Sequence, residues 1–405
     1  MKDNNGRRKI AFLTSIDPQN KRSWSGIFYQ IARSLQKHCG DVIYVGPVSG
    51  EEKGQELSFF KQMKLWLKKV ARRYFVYDYH IQVAKKCATI ANRRFAQEHF
   101  DVIVAPASLI QVAFLQLETD IPVVVVEDGT FALLLNYYPQ YTGLLTRSVR
   151  RMHAVTKIGI SKASALIYSS TWAAQSAIDD YHAAPQNVHV VPMGANFDDP
   201  PDREVIQFKR KSAICKLLFV GVDWLRKGGE IAFETLLALH QMGVSAELVV
   251  CGCVPPARFT HPAMKVFPYL DKNDPVQYDK IIQLYLDANF LLLPTRNECF
   301  GIVFCEANAF GLPAITTQTG GVPEVVRNGE NGFVLPLEAR GDAYARLIAS
   351  IYSDDTRYAQ LVLSSRAAYD KRLNWDAWGI AVNNIITTTL HSHTAKDDLP
   401  RSIVL

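Results

Sequence analysis

Short apolar runs alternate along this chain with stretches in which apolar residues recur every three or four positions. KIAFLT, beginning at Lys9, reads as a strand; a loop holding Trp24, Ser25 and Gly26 follows it, and the spacing in FYQIARSLQKH then predicts a helix. DVIYVGP (41–47), DVIVAP (101–106) and PVVVVEDG (122–129) are further β-branched runs that stop at Gly, Pro or Asp, with helical patterns between them. ALIYSS (165–170) precedes a helix around TWAAQSAIDDYH, and NVHVVPMGAN (187–196) follows it. Strands this continuously apolar belong to a parallel sheet covered by helices on both faces.

The texture changes at DDPPDREVIQFKRK (198–211), which is polar, contains two prolines and has no apolar period, as an interdomain linker would. The alternation then restarts. KLLFVGVDWL (216–225) leads into a helix through GGEIAFETLLALHQMG, and AELVVCG (246–252), MKVFPYL (264–270) and a helix to Asp287 come next. NFLLLPT (289–295), a helix across GIVFCEANAFG and the short strand PAITT (313–317) complete the pattern. The expected fold is therefore α/β, with two Rossmann-like doubly wound domains facing across a cleft. The expected boundaries are 1–198, a linker at 199–211, a second domain at 212–373, and a C-terminal helix and tail at 374–405 that crosses back to the first domain. A chain of 405 residues suits two cores of ordinary size. Ligands of such sheets bind at the carboxyl ends of the strands.

Composition narrows this picture. With 48% hydrophobic and 21% charged residues the chain is a folded protein, not a fibrous or disordered one. The first apolar run stops at Leu13 and meets Thr14 and Ser15, so no signal peptide is expected, and no stretch approaches the roughly 18–20 apolar residues that span a bilayer. The expected location is cytoplasmic. Seven cysteines, odd in number and scattered through apolar runs, read as reduced, buried thiols; Cys251 and Cys253 form a lone CxC with no second pair and are not read as a zinc site.

Charge is concentrated in one segment. Between Lys61 and Arg94 ten basic residues meet one acid, Asp78. Lys61, Lys64, Lys68 and Arg72 stand at helical spacing, with Phe59, Met63, Trp66, Leu67, Val70 and Tyr74 on another side. This pattern fits a peripheral contact of residues 59–74 with an anionic inner membrane leaflet, where each basic residue contributes about 1 kcal/mol. It equally fits a domain helix with one side in the core and one in solvent. No nucleic-acid partner is expected.

The candidate chemistry lies in RNECFGIVFCE, Arg296 to Glu306. Glu298 falls in a loop after a strand, and a helix expected to begin at about Phe300 would turn its free N–H groups toward an oxygen-rich ligand. Glu298 can accept hydrogen bonds from sugar hydroxyls, and Glu306, about two turns into that helix, can take the two hydroxyls of a ribose. Taken alone, the two glutamates read as well as a helix cap and a solvated acid. GVDWLRKGG (221–229) follows another strand and sets Arg226 beside Lys227, a cationic pair suited to neutralising a nucleoside diphosphate as it leaves.

The run continues EANAFGLPAITTQTGGVPEVVRNGENGF, and with Glu298, Phe300, Gly301, Glu306, Ala307, Gly311, Pro313, Gly320, Gly321, Glu324 and Gly332 in order it resembles the retaining GT-B-fold glycosyltransferases of family four, the glycosyl transferases group 1. The likeness extends to the first loop, to VPMGAN and to VGVDWLRKGG, and weakens between about 50 and 160. It implies an N-terminal acceptor-binding domain and a C-terminal nucleotide-sugar-binding domain. The implied donor site consists of Gly26, Gly221, Arg226, Lys227, Glu298, Cys299, Phe300, Gly301, Ile302 and Glu306, and the implied catalytic residues are Glu298, Lys227, Arg226 and Asp128. Val222 stands where the family often has arginine, and Arg226 takes its part. Glu127 stands where histidine is frequent, so no catalytic histidine is assigned, and His153 has nothing around it to suggest a role. Asp128, before Gly129, also reads as a turn residue.

The resemblance further implies front-face transfer of a hexosyl unit from a UDP- or GDP-linked sugar to a glycan or lipid-linked acceptor, with retention, in cell-surface polysaccharide or glycoconjugate assembly. The sugar nucleotide is a substrate, so no cofactor is expected. No Asp-x-Asp occurs in the sequence, and no metal is expected. Two other readings remain: a nucleotide-sugar 2-epimerase of the same fold and a catalytically silent sugar-nucleotide-binding protein.

Overall fold

The computed structural model describes residues 6–46, 76–117, 121–207 and 211–397. The basic segment at 59–74 lies outside them. The chain divides into two compact units, one formed by Met1–Val191 with Gly379–Leu405 and the other by Pro192–Trp378.

The first unit is built on six parallel strands in the order β2-β1-β3-β4-β5-β6. They are β1 Lys9–Leu13, β2 Asp41–Val45, β3 Val102–Pro106, β4 Val123–Glu127, β5 Ala165–Tyr168 and β6 Val188–Val190. β1 and β3–β5 are almost wholly buried, as their apolar runs require. The helix Val76–Gln97 adds Cys87, Ala88, Ala91 and Phe95 to a core that includes Leu13, Ile103 and Val125. The final helix, Trp375–Asp397, reaches this unit from Gly379 onward. There the Arg8 guanidinium donates to Asn383 Oδ1 at 2.5 Å and Thr387 Oγ1 at 2.6 Å, and a Cβ on Gly379 would stand 2.4 Å from Ser34 Oγ.

The second unit repeats the plan with the order β12-β11-β10-β7-β8-β9, again all parallel. Its strands are β7 Cys215–Val220, β8 Ala246–Cys251, β9 Met264–Phe267, β10 Phe290–Leu293, β11 Ala314–Thr317 and β12 Gly332–Leu335. Two parallel six-stranded sheets with helices are the α/β architecture expected. β12 is an addition to the expected strands.

The division falls at Val191 rather than after 198, and specific contacts explain it. Met193 O accepts from Cys305 Sγ at 3.4 Å and Asn196 Oδ1 accepts from Trp375 Nε1 at 3.0 Å, which ties this stretch to the second unit. The polar segment expected as a linker also packs there. Arg203–Gln207 is helical with Ile206 buried, and Arg366 Nη1 donates to Pro201 O at 2.5 Å and Ala309 O at 2.9 Å.

All seven cysteines are buried, and none is in a disulfide. Among the described residues no helix is long and apolar enough to cross a membrane.

Candidate active site

Strand order decides which loops meet. In the second unit β7 leads to β8 and β9 on one side, while β10 lies against β7 on the other, so the chain's direction of travel across the sheet reverses between β7 and β10. Loops at the carboxyl ends of strands flanking such a switch point diverge and leave room for a ligand. The loop after β7 carries GVDWLRKGG and the loop after β10 carries RNEC. Arg296 N donates to Arg226 O at 2.8 Å and Arg226 Nη1 donates to Asn297 O at 3.0 Å, locking the two loops together.

Three of the four side chains expected to be catalytic converge here. Lys227 Nζ is ion-paired with Glu298 Oε2, and Arg226 Nη1 lies 3.8 Å from that same oxygen. The side chains of Arg226, Lys227 and Glu298 are 19%, 12% and 13% exposed, so they are partly desolvated but still reachable. Asp223 holds Arg226 from behind, its Oδ1 accepting from Arg226 N at 3.1 Å and its Oδ2 standing 3.7 Å from Nε. The Lys227 stem runs over Gly221, where a Cβ would meet Lys227 Cγ at 2.8 Å; a glycine at this position lets the ammonium reach Glu298.

The helix after this loop is Ile302–Ala309, two residues later than expected. Gly301, at φ 91°, is the left-handed residue that turns the loop into the helix, and Phe300 lies before it. Cys299 and Phe300 are buried, and Gly321 N donates to Glu298 O at 3.2 Å, so the GG loop supports the glutamate's backbone. The first N–H groups of the helix, from Ile302, have no acceptor within it.

Because of that later start, Glu306 is the fifth helical residue, just over one turn in. It is also buried, 4% exposed, which removes the reading of a solvated acid. Its Oε1 lies 2.5 Å from Lys272 Nζ, and its Oε2 accepts from the Tyr285 hydroxyl at 2.9 Å. Burial, then the Glu306 charge, raises the Tyr285 hydroxyl well above its usual pKa and keeps it a donor. Lys272 and Tyr285 were not among the expected site residues. LDKND has the composition of any solvated turn, and Tyr285 reads as one apolar position of a helix.

Gly26, Trp24 and Asp128 belong to the first unit. Trp24 at φ 46° and Ser25 at φ 56° hold left-handed backbone, just before Gly26 and the helix Ile27–His38. Such conformations cost about 1–3 kcal/mol each at non-glycine residues and concentrate at functional loops. Trp24 Nε1 donates to Asp128 Oδ2 at 3.4 Å, which joins the loop after β1 to the end of β4. Next to Asp128, burial and then the Asp128 charge push Glu127 up to about 8, against the Leu109 N–H that bonds it at 3.1 Å. His153 Nδ1 bonds the Tyr181 hydroxyl at 2.9 Å and its ring packs on Phe131, a structural setting. Among the described residues no group of three or more His, Cys, Asp or Glu is placed to hold a metal ion.

Comparison with known proteins adds the family. Residues 206–368 match the model of the glycosyl transferases group 1, and residues 27–199 match that of glycosyltransferase family 4. A D-inositol 3-phosphate glycosyltransferase of Xylanimonas cellulosilytica is 28% identical over 260 residues, 58% of this chain and 60% of that protein. Its counterpart in Acidothermus cellulolyticus is 28% identical over 228 residues, 52% of this chain and 50% of that protein. The chain thus spans between half and three fifths of the length of these relatives. Among solved structures, the sucrose-phosphate synthase of Thermosynechococcus elongatus superposes with a TM-score of 0.68 at 17% identity, over 95% of this chain and all of that one, 100%. Anabaena HepE in complex with UDP and glucose gives 0.59 at 18%, over 95% and 100%. These likenesses establish the fold, and the family models cover both halves of the sequence: the chain belongs to the glycosyltransferases of family four, the glycosyl transferases group 1, with a GT-B fold.

Proposed function

We propose that this chain is a retaining glycosyltransferase that moves a hexosyl unit from a UDP- or GDP-linked sugar to a hydroxyl of a glycan or lipid-linked acceptor, in the assembly of cell-surface polysaccharide or glycoconjugate. The observation that carries the reading is the convergence of Arg226, Lys227 and Glu298 at the switch point between β7 and β10. Both cations stand where a diphosphate would arrive, Lys227 paired with Glu298 and Arg226 held between Glu298 and Asp223. The similar D-inositol 3-phosphate glycosyltransferases support a sugar-transfer reaction, and HepE has been solved in complex with UDP and glucose and with UDP-glucose.

In the reaction proposed, the bond between the anomeric carbon and the β-phosphate oxygen breaks. The acceptor oxygen bonds that carbon on the same face, and its proton passes to the departing phosphate. Arg226 and Lys227 neutralise the charge that grows on the nucleoside diphosphate, without a bound metal. Glu298 orients the sugar through its hydroxyls, and Glu306 takes the ribose. Asp128 serves on the acceptor side.

Incubating the protein with UDP- and GDP-hexoses and a panel of hydroxyl acceptors tests this, with product anomeric configuration read by NMR. The expected result is a glycosylated acceptor or slow donor hydrolysis, abolished in Lys227→Met, with the anomeric configuration of the donor kept. A C2-epimerised sugar would show an epimerase instead, and nucleotide binding without turnover would show a silent binding protein.

A further inference from the structure

We propose that Lys272 is a positioning residue of the donor site: it holds Glu306 so that the remaining acceptor positions on the two carboxylate oxygens meet the vicinal hydroxyls of the nucleotide's ribose. The inference rests on the reading of Glu306 as the ribose acceptor and adds what makes that acceptor competent.

Lys272 lies in the loop between β9 and the helix Pro275–Asp287, at the edge of its sheet. That loop is closed on itself: Asp274 Oδ1 accepts from Gln277 N at 3.0 Å, Asp271 N donates to Gln277 Oε1 at 2.9 Å, and Asn273 N donates to Asp271 Oδ1 at 3.0 Å. The polar residues around Lys272 thus satisfy one another. Lys272 does not join them. Its ammonium bonds Glu306 Oε1 at 2.5 Å and Asn196 O at 3.1 Å, and lies 4.5 Å from the centre of the Phe197 ring. Three separate partners fix its position.

The arithmetic of donors and acceptors follows. Two of the three ammonium N–H groups are committed. Glu306 receives one bond on each oxygen, from Lys272 and from Tyr285, which leaves one acceptor position on each. Two such positions at the fixed spacing of one carboxylate match two neighbouring hydroxyls. Without the cation, a carboxylate buried this deeply loses the partner that compensates its burial and fixes its seat, and the paired acceptor is lost.

The test compares the full-length protein with Lys272→Gln, Lys272→Met, Lys272→Arg and Glu306→Gln. Calorimetry measures the Kd of UDP, GDP and ADP and of their 2′-deoxy counterparts, and Tm is recorded for each protein. In the wild type the best-bound diphosphate is expected to lose about tenfold or more in affinity with its 2′-hydroxyl, as for a hydrogen bond to a charged group. Lys272→Gln and Lys272→Met should bring that ratio near unity, and Lys272→Arg should restore it. A variant that only loosens the fold would weaken ribo- and deoxynucleotides alike, with a lower Tm and the ratio kept, and that result overturns the inference. If Lys272→Met does not fold, Lys272→Gln, which keeps a donor, decides in the same way. A wild-type ratio in Lys272→Gln beside a lost ratio in Glu306→Gln overturns the role of Lys272 alone. A ratio unchanged in Glu306→Gln, or absent from the wild type, instead overturns the reading of Glu306 and the inference with it.

Discussion

The ammonium of Lys227 and the carboxylate of Glu298, 71 positions apart, are ion-paired between the loops that follow β7 and β10. In the reaction proposed, a diphosphate entering the site would compete with Glu298 for Lys227, and the freed carboxylate would then accept from sugar hydroxyls. Glu298→Gln keeps shape and hydrogen bonding but not charge. It is expected to lower kcat about 10²-fold while changing the Kd for the nucleoside diphosphate only a few-fold. Lys227→Met should weaken both, and the double variant should lose less than the sum because the residues are in contact. Initial rates with calorimetry check this; equal, small effects on kcat and Kd would remove Glu298 from the reaction.

Arg226 does more than supply charge, since its guanidinium also holds the Asn297 carbonyl at 3.0 Å. Lysine in its place keeps the charge and loses the fork that spans the two loops. Arg226→Lys is expected to reduce kcat/KM about tenfold, ~1.4 kcal/mol. A rate within twofold of the wild type would assign Arg226 a purely electrostatic part.

If these two cations carry the leaving-group charge, transfer should continue at about the same rate after dialysis against EDTA, and added magnesium should change it by about twofold or less. Complete loss in EDTA with recovery on magnesium would show that a metal ion shares the work.

The two sheets were legible because parallel strands buried on both faces must be apolar throughout; VVVV at 123–126 and FLLL at 290–293 admit few other readings. β12 was not, because it begins at Gly332 and leaves Phe333, Val334 and Leu335 only half-buried. Lys227 and Glu298 sit in the loops that follow β7 and β10, where the order of a doubly wound sheet brings loops together, so their proximity follows from topology. Lys272 follows from none of this, since its direction is set by Glu306, Asn196 and Phe197 from distant parts of the sequence. Trp24 and Asp128, 104 residues apart, meet for the same kind of reason. The division at Val191 depends on where Met193 and Asn196 find partners, which polarity along the chain does not express.

Gly301 offers a test of the turn on which the Glu298 loop depends. It holds φ 91°, and a Cβ there would stand 2.4 Å from Phe304 Cδ2 and 3.2 Å from Glu298 Cγ. Phe304 is fully buried and its ring has no room to swing aside. Gly301→Ala is expected to cost about 1–3 kcal/mol, with a Tm lower by roughly 2–4 °C per kcal/mol, and to impair turnover beyond what the fall in stability explains. Thermal melts and rates measured well below the new Tm separate the two effects.

Glu127 provides a pH dependence with a definite sign. Its carboxyl is pushed from 4.5 up to about 8, first by burial and then by the charge of Asp128. Between those values the folded chain keeps a proton that the unfolded chain releases, so stability falls as pH rises from about 4.5 to 8. Glu127→Gln is neutral throughout and removes this contribution. Melting curves at pH 5 and pH 8.5 should therefore show the wild type losing more Tm between the two than Glu127→Gln does. Parallel losses would mean that Glu127 is ionised in the folded protein, and Asp128 would then share its strand end with a second negative charge at neutral pH.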